Sequence, residues 1–521
     1  MNRILSLNPI SSTRIRYTIA ASFAFIFTLA TVSRAQEITL GLTHSFAEDE
    51  PVVTHHQMTL HGKPVSYTAR TGYLAIRDEE QVTHARMFYT SYTLDDAAKS
   101  SPRPLLFAWN GGPGSNASLL ELAGLGPKRI NKDPGPSNPR HPSPLVDNED
   151  TWLQFADLIF VDPINTGYSY ATTPDTLKEF LNDRGDADSV AEFIRLYRQH
   201  YNLQLTPLFL MGESYGTFRA AGVADVLAKR KIPLDGVILL STVLNLHGDH
   251  DSDLSSVFLI PNYTATAWVH HRLAPELEKN LAQTVDEAQH WAESEYLAAL
   301  TQGNRLPDDR KKAIAQKLAR YTGIPAATWE AADLKLDPDT FASNVLGPEK
   351  LEYAAHYDTS MIGKLSHPGA PYNVDADPSL DNGVEAIVGS YLRDELGFKT
   401  DAFHAGPFGG GYPSPTSFRA DWASVRWNRG SEPEDRSEAL ADAIHKTPAL
   451  RIFIAHGYYD LSTPFASTEY TLSHMDVSPA DRQRITLVRY EGGHAAYINP
   501  QVRAQFSKDV QTFVTASTPT N

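Results

Sequence analysis

The chain has 521 residues, 41% hydrophobic and 21% charged, a balance that fits a folded protein with a large core and argues against intrinsic disorder. Its formal net charge of −16 excludes nucleic acid as a partner, because no basic stripe offsets the repulsion of phosphate. With no cysteine, disulfides, thiolate catalysis and cysteine metal sites are excluded too, and the core alone must hold the fold.

Arg3, Arg14 and Arg16 precede the apolar run YTIAASFAFIFTLATV, and Ser33 and Ala35 then supply the small residues of a cleavage site. That three-part plan predicts a secretory signal peptide over residues 1–35, with a retained N-terminal anchor as the alternative. No later stretch is apolar enough to cross a bilayer, so no stable membrane insertion is expected after signal removal. The expected location is a periplasm or the cell exterior.

HHQMTLHGKPVSYTARTGYLAI, from His55, and ARMFYTSYTL, from Ala85, are β-like runs interrupted by the turn-like HGKP and predict a hairpin or meander. Four apolar runs follow, PLLFAW, DLIFV, PLFLM and GVILLST, the first three each closed by a turn signal. Between the second and third, Val190, Phe193, Ile194 and Tyr197 share one helical face. Short buried strands alternating with helices predict an α/β fold, a mostly parallel sheet with helices on both faces. From residue 246 to 430 the pattern turns to amphipathic helices and loops, among them a helix over Ala274–Leu300 and the tract DDRKKAIAQKLARYTG. LRIFIAHGYYD and RITLVRYEGGH then return as the last strands. The expected organisation is a signal over 1–35, a core over 36–245, a largely helical cap over 246–430 and the end of the core over 431–521, with TASTPTN as a frayed tail.

Gly212-Glu213-Ser214-Tyr215-Gly216 matches G-x-S-x-G, with an apolar strand before it and a helix-like run after it. The glycines permit a sharp strand-to-helix turn that stands the Ser214 hydroxyl clear of the sheet. A serine hydroxyl is a poor nucleophile until a base takes its proton. In an α/β-hydrolase sheet an acid and then a histidine follow the serine, and Asp460 and His494, each just past a strand, are the candidates. An oxyanion hole needs two backbone donors. The N–H of Tyr215 is one, and the loop in WNGGPGSNAS, where Gly111 and Gly112 carry no side chain, supplies the other. That loop lacks the lysine of a phosphate-binding P-loop.

Taken together, WNGGPGSNAS, GLGPKRI, VDPINTGYSYAT, GESYG, HGYYD followed by TPF, and EGGHAAYINP resemble the serine carboxypeptidases, exopeptidases of the α/β-hydrolase fold, in order from about residue 104 to the end. The resemblance implies Ser214 as nucleophile, Asp460 as orienting acid, His494 as base, and Gly112 and Tyr215 as oxyanion donors. It also implies that Asn110, with Gly111 beside it, and Glu213 hold the free carboxylate of a substrate. A carboxyl group next to another carboxyl group keeps its proton and donates a hydrogen bond to it, so an acidic working pH is expected. Three positions depart from the family's pattern. Its usual tryptophan is replaced by Ala108, with Trp109 adjacent; its cysteine after GGPG is Ser115; and its second carboxylate-binding glutamate is Gly124. Glu121, three residues earlier, falls on the same face if the segment is helical and is the candidate substitute.

The resulting expectation is an exported serine carboxypeptidase-like hydrolase acting through an acyl-enzyme on peptides with a free C-terminus, with no cofactor and no metal. An esterase or acyltransferase using the same triad is the alternative that Gly124 favours. A catalytically retired binding protein is the other, disfavoured by a complete triad. HGDHDSD, from His247, clusters metal-type ligands at a spacing that in a polar loop is solvated charge. GPFGGGYP reads as a connector or a lid, and Asn116-Ala-Ser and Asn262-Tyr-Thr match the glycosylation acceptor.

Overall fold

The computed structural model describes residues 50–518 other than 96–102, 132–143, 246–251, 348–350, 368–377, 379–383, 403 and 405–434. The expected leader over 1–35, most of HGDHDSD and all of GPFGGGYP lie outside the described residues. The strands are β1 (Val52–Leu60), β2 (Lys63–Arg77), β3 (Thr83–Leu94), β4 (Leu105–Trp109), β5 (Lys128–Ile130), β6 (Leu145–Asp147), β7 (Asp157–Val161), β8 (Tyr170–Ala171), β9 (Leu208–Glu213), β10 (Gly236–Leu240), β11 (Glu352–Ala354), β12 (Ile362–Lys364), β13 (Arg451–Gly457) and β14 (Ile485–Tyr490).

One ten-stranded sheet runs in the order β1-β2-β3-β7-β4-β9-β10-β13-β14, with β8 pairing β3. Its first part is the predicted meander. Leu60 pairs with Lys63 across His61 and Gly62, both at positive φ (48° and 74°), a two-residue turn whose twist suits a hairpin. From β7 to β14 every pairing is parallel. The chain leaves β4 toward β7 on one side and later places β9 on the other, so the order reverses between β4 and β9. In open α/β sheets, ligands bind outside the carboxyl ends of strands at such a point.

Period-two alternation along each strand divides the core. Leu105, Phe107 and Trp109 face the cluster that includes Val190, Phe193 and Ile194 of the helix Asp183–His200 and Ala220, Val223 and Leu227 of the helix Tyr215–Lys229. Leu106 and Ala108 face the opposite cluster, with Phe506 and Val510 of the helix Pro500–Ser517. The helical face expected from Val190, Phe193, Ile194 and Tyr197 is fully buried here. Trp109 for Ala108 is thus no one-residue slip of a pattern: the indole lies on the other face of the sheet.

Between β10 and β13 lie further helices, including Asp253–Val269, Leu281–Trp291 and Asp308–Thr322, and the β11–β12 ribbon. Tyr263, Tyr296, Trp329 and Phe341 build a core among them. The helix expected from Ala274 begins only at Leu281, because the Asn280 side chain accepts from Gln283 N at 3.0 Å and caps it there. DDRKKAIAQKLARYTG ends at Gly323, at φ 70°, the left-handed stop that a glycine provides. TASTPTN is not frayed from its start: the last helix runs to Ser517, with Phe513 and Val514 buried.

Candidate active site

Ser214 follows β9 directly and precedes the helix Tyr215–Lys229, with φ 58° and ψ −132°, a backbone conformation that costs free energy in any residue with a Cβ. The neighbouring glycines are dictated by crowding. A Cβ on Gly212 would lie 2.1 Å from Gly216 O, and one on Gly216 would lie 3.0 Å from the carbonyl oxygens of Trp109 and Asn110. Ser214 N donates to Leu240 O at 2.9 Å, and Thr217 returns its hydroxyl to Ser214 O at 2.7 Å. The strained turn is therefore held on both sides.

His494 and Asp460 come from the loops after β14 and β13. The β13–β14 pairing ends at Gly457 and Tyr490, and Tyr458 N to Tyr490 O and Tyr459 N to Gly492 O (both 2.9 Å) carry the pairing into the loops. His494 Nδ1 meets Asp460 Oδ2 at 2.8 Å in a buried setting. The Asp460 carboxylate also accepts from Ser462 N at 2.8 Å, Thr463 N at 3.2 Å and Thr463 Oγ1 at 2.5 Å. Burial pushes this carboxyl up, but His494 and the Thr463 donors outweigh it and hold it below the ordinary carboxylate range. For His494, burial pulls the other way, yet Asp460 and then Glu213 raise it above the ordinary imidazole value. The His494 carbonyl accepts from Ser241 Oγ at 2.6 Å. Since Glu213 pairs with Leu240 in the β9–β10 register, Ser241 stands opposite Ser214, and serine, histidine and aspartate share one rim of the sheet.

The loop after β4 packs onto this elbow. A Cβ on Gly111 would lie 2.6 Å from Tyr215 N and 2.7 Å from Glu213 O, so only glycine lets the loop approach so closely. Gly112 is at φ 100°, with Gly114 N 2.7 Å from where its Cβ would sit. Asn110 Oδ1 accepts from Leu120 N at 3.1 Å, and the Asn110 side chain also hydrogen-bonds Glu213. Glu213 is buried and takes a further bond from Tyr497 OH to Oε2 at 2.6 Å. Burial pushes its carboxyl up to about 7, against the opposing pull of His494, Tyr497 and Asn110.

Glu121 lies in a short π-helical stretch, Leu120–Leu125, and is buried. Its Oε1 accepts from Tyr92 OH at 2.5 Å, and Tyr92 OH lies 2.9 Å from Tyr391 OH. Burial pushes Glu121 up to about 8. The two glutamates are thus held by different tyrosines, Glu213 by Tyr497 and Glu121 by Tyr92. Among the described residues, no group of three or more His, Asp and Glu side chains is placed to hold a metal ion.

Several residues that organise the site are not among the site candidates read from the sequence. Arg219 donates through Nε to both oxygens of Asp186 (2.9 and 2.8 Å) and through Nη1 to Asn110 O at 2.9 Å, all buried. Trp109 Nε1 donates to Gly216 O at 2.9 Å. From the inserted region, Tyr357 O accepts from His494 N at 2.6 Å, and the Tyr357 ring stands edge-on to the imidazole at 5.3 Å. Asn262 Nδ2 donates to Asp460 O at 2.8 Å. Asn262 and Asn116 are both fully buried, which removes them as glycosylation acceptors in the folded protein. Arg219 alone was within reach of the sequence, sitting four residues after Tyr215 on the same helix face.

The family described as serine carboxypeptidase matches residues 60–340, more than half of the chain and inclusive of the Ser214 elbow. Serine carboxypeptidase-like 13 of Arabidopsis thaliana is 27% identical over 220 residues, 42% of this chain and 47% of that protein. The retinoid-inducible serine carboxypeptidase of Rattus norvegicus is 33% identical over 159 residues, 30% of this chain and 31% of that protein. The match thus spans half or less of the length of these relatives. A prohormone-processing carboxypeptidase from Saccharomyces cerevisiae shares the fold, with a TM-score of 0.53 at 14% identity over 86% of this chain and 91% of that one. The fold is the α/β-hydrolase fold, and with the match over residues 60–340 the chain belongs to the serine carboxypeptidase family.

Proposed function

We propose that this protein is an exported serine carboxypeptidase that releases residues from the free C-terminus of peptides through an acyl-enzyme. Ser214 Oγ attacks the last peptide carbonyl while His494 takes its proton through Nε2. The peptide C–N bond breaks as His494 passes that proton to the departing amino group, leaving an ester on Ser214. Water, deprotonated by the same imidazole, then hydrolyses the ester and frees Ser214. Asp460 holds His494 Nδ1–H, which fixes the tautomer and steadies the imidazolium. The N–H groups of Gly112 and Tyr215 take the developing oxyanion. Asn110, Gly111 and Glu213 seat the substrate's carboxylate, and a neutral Glu213 donates to it.

The observation that carries this reading is the buried Asp460–His494 bond at 2.8 Å on the rim where Ser214 turns, with Glu213 directly before the nucleophile and protonated up to about 7. Export is supported by the three-part plan of residues 1–35.

The test offers one blocked peptide as free acid and as C-terminal amide. The free acid is expected to show a kcat/KM about a hundredfold higher, because a site built to bind a carboxylate rejects its neutral analogue. Equal cleavage of the two defeats the exopeptidase reading and leaves an esterase or acyltransferase, which the loss of the second glutamate to Gly124 favours. A fluorophosphonate probe should label the wild type and not Ser214→Ala. Labelling of neither would point to a binding protein.

A further inference from the structure

We infer that Tyr497 is a positioning residue for recognition of the substrate's C-terminal carboxylate, holding the Glu213 carboxyl group in the orientation in which it meets that carboxylate. The inference rests on the carboxypeptidase reading above. Tyr497 lies in the short helical turn Ala496–Ile498, three residues beyond His494, so one loop carries both side chains. The phenol is fully buried and donates to Glu213 Oε2 at 2.6 Å. Burial, and then the neighbouring Glu213, drive its own ionisation well above the ordinary phenol value, so it stays a donor at any working pH. With Oε2 fixed as an acceptor, the proton of a neutral Glu213 is left on Oε1, the oxygen from which it can be given to an incoming carboxylate.

Gly124 belongs to the same arrangement. A Cβ at that position would lie 2.7 Å from Tyr497 Cδ2 and 2.9 Å from Cγ, so a side chain at 124 and the ring at 497 exclude each other. The space beside Glu213 therefore holds a phenol. Both walls are anchored. Asn148 Nδ2 donates to the carbonyls of Gly124 and Gly126 (2.8 and 2.9 Å). Arg503 bonds Asp150 through Nε at 2.9 Å and Tyr497 O through Nη1 at 3.3 Å. The groups facing Glu213 are His494 and Asp460 as charged neighbours and Tyr497 and Asn110 as hydrogen-bond partners. Glu121 is engaged elsewhere, by Tyr92.

Tyr497→Phe keeps the ring and removes the donor. Using the full chain and a blocked dipeptide as free acid and as methyl ester, we expect KM for the free acid to rise about tenfold, the weight of one hydrogen bond to an ionisable group, with kcat nearly unchanged. The ester, which lacks the carboxylate, should be unaffected. The pH at which free-acid KM climbs should also move upward, because losing the Tyr497 donor destabilises the Glu213 carboxylate. Gly124→Ala, which pushes the ring away while keeping the phenol, should reproduce the selective rise in KM. Equal losses on acid and ester in both variants would make Tyr497 a packing residue and overturn the inference, as would an unchanged KM. If the wild type does not distinguish acid from amide, the carboxypeptidase reading falls and takes the inference with it. A wild type that distinguishes them beside a Tyr497→Phe that does so equally well sinks the inference alone.

Discussion

Glu213 is a carboxyl group deprived of water one residue before a strained serine, and under the proposed function its proton is the variable on which recognition of a free C-terminus turns. Burial raises it to about 7, above the ordinary carboxylate range, so it is neutral below that pH and charged above it. A neutral carboxyl donates to a substrate carboxylate; a charged one repels it. We therefore expect KM for free-acid peptides to rise as pH passes upward through about 7, with KM for the matching esters flat across the same range, as steady-state kinetics on paired substrates will show. Asp460 is the opposite case: a carboxylate equally buried but ringed by donors, which keeps its charge and so keeps His494 in one tautomer.

At the scale of elements, the helix Tyr215–Lys229 is locked to the loop after β4 by a single guanidinium. Arg219 spans Asp186 in the first turn of one helix and Asn110 O in the loop after β4, with no exposed surface on its side chain. Removing one partner of such a pair strands a buried charge. Arg219→Met is therefore expected to lower unfolding free energy by about 3 kcal/mol in urea titrations. The double change Asp186→Leu with Arg219→Met should recover part of that stability, since an apolar pair of similar volume costs little while the buried Tyr215 hydroxyl loses its Asp186 acceptor at 3.2 Å. It should not recover kcat, because Asn110 O still lacks its donor and the glycine loop loses its tie to the elbow. Full recovery of both would reduce the ion pair to packing.

At the scale of the whole molecule, the region between β10 and β13 contacts the loops that carry His494 and Asp460 by backbone as much as by side chain. Tyr357 O holds His494 N, Asn262 holds the carbonyls of Tyr458 and Asp460, and Leu461 belongs to the inserted region's own core. The histidine and aspartate loops are thus positioned from two directions, by the sheet below and the insertion above. Export belongs to this scale too. When the full chain is expressed in a secreting host, the recovered protein is expected to begin at Gln36, and N-terminal sequencing checks it. A product that retains Arg3 to Arg16 and sediments with membranes would favour the anchor.

The strands, the strand-to-helix elbow at Ser214 and the placement of Asp460 and His494 just past strands are legible in the chain because each is written locally. Apolar runs closed by turn residues make strands, two flanking glycines make the elbow, and loops leave strands at their carboxyl ends. Gly124 was legible as a gap but not as a fit, since only the folded chain brings residue 497 against residue 124. The same holds for Arg219 with Asp186, for Tyr357 against His494, and for Glu121 turned toward Tyr92. Such pairs join positions far apart in sequence, and they are selected by burial, where a polar atom must find a partner or pay the cost of dehydration. Composition and period fix which segments are strands and which residues can react; which tyrosine holds which glutamate is decided only by packing.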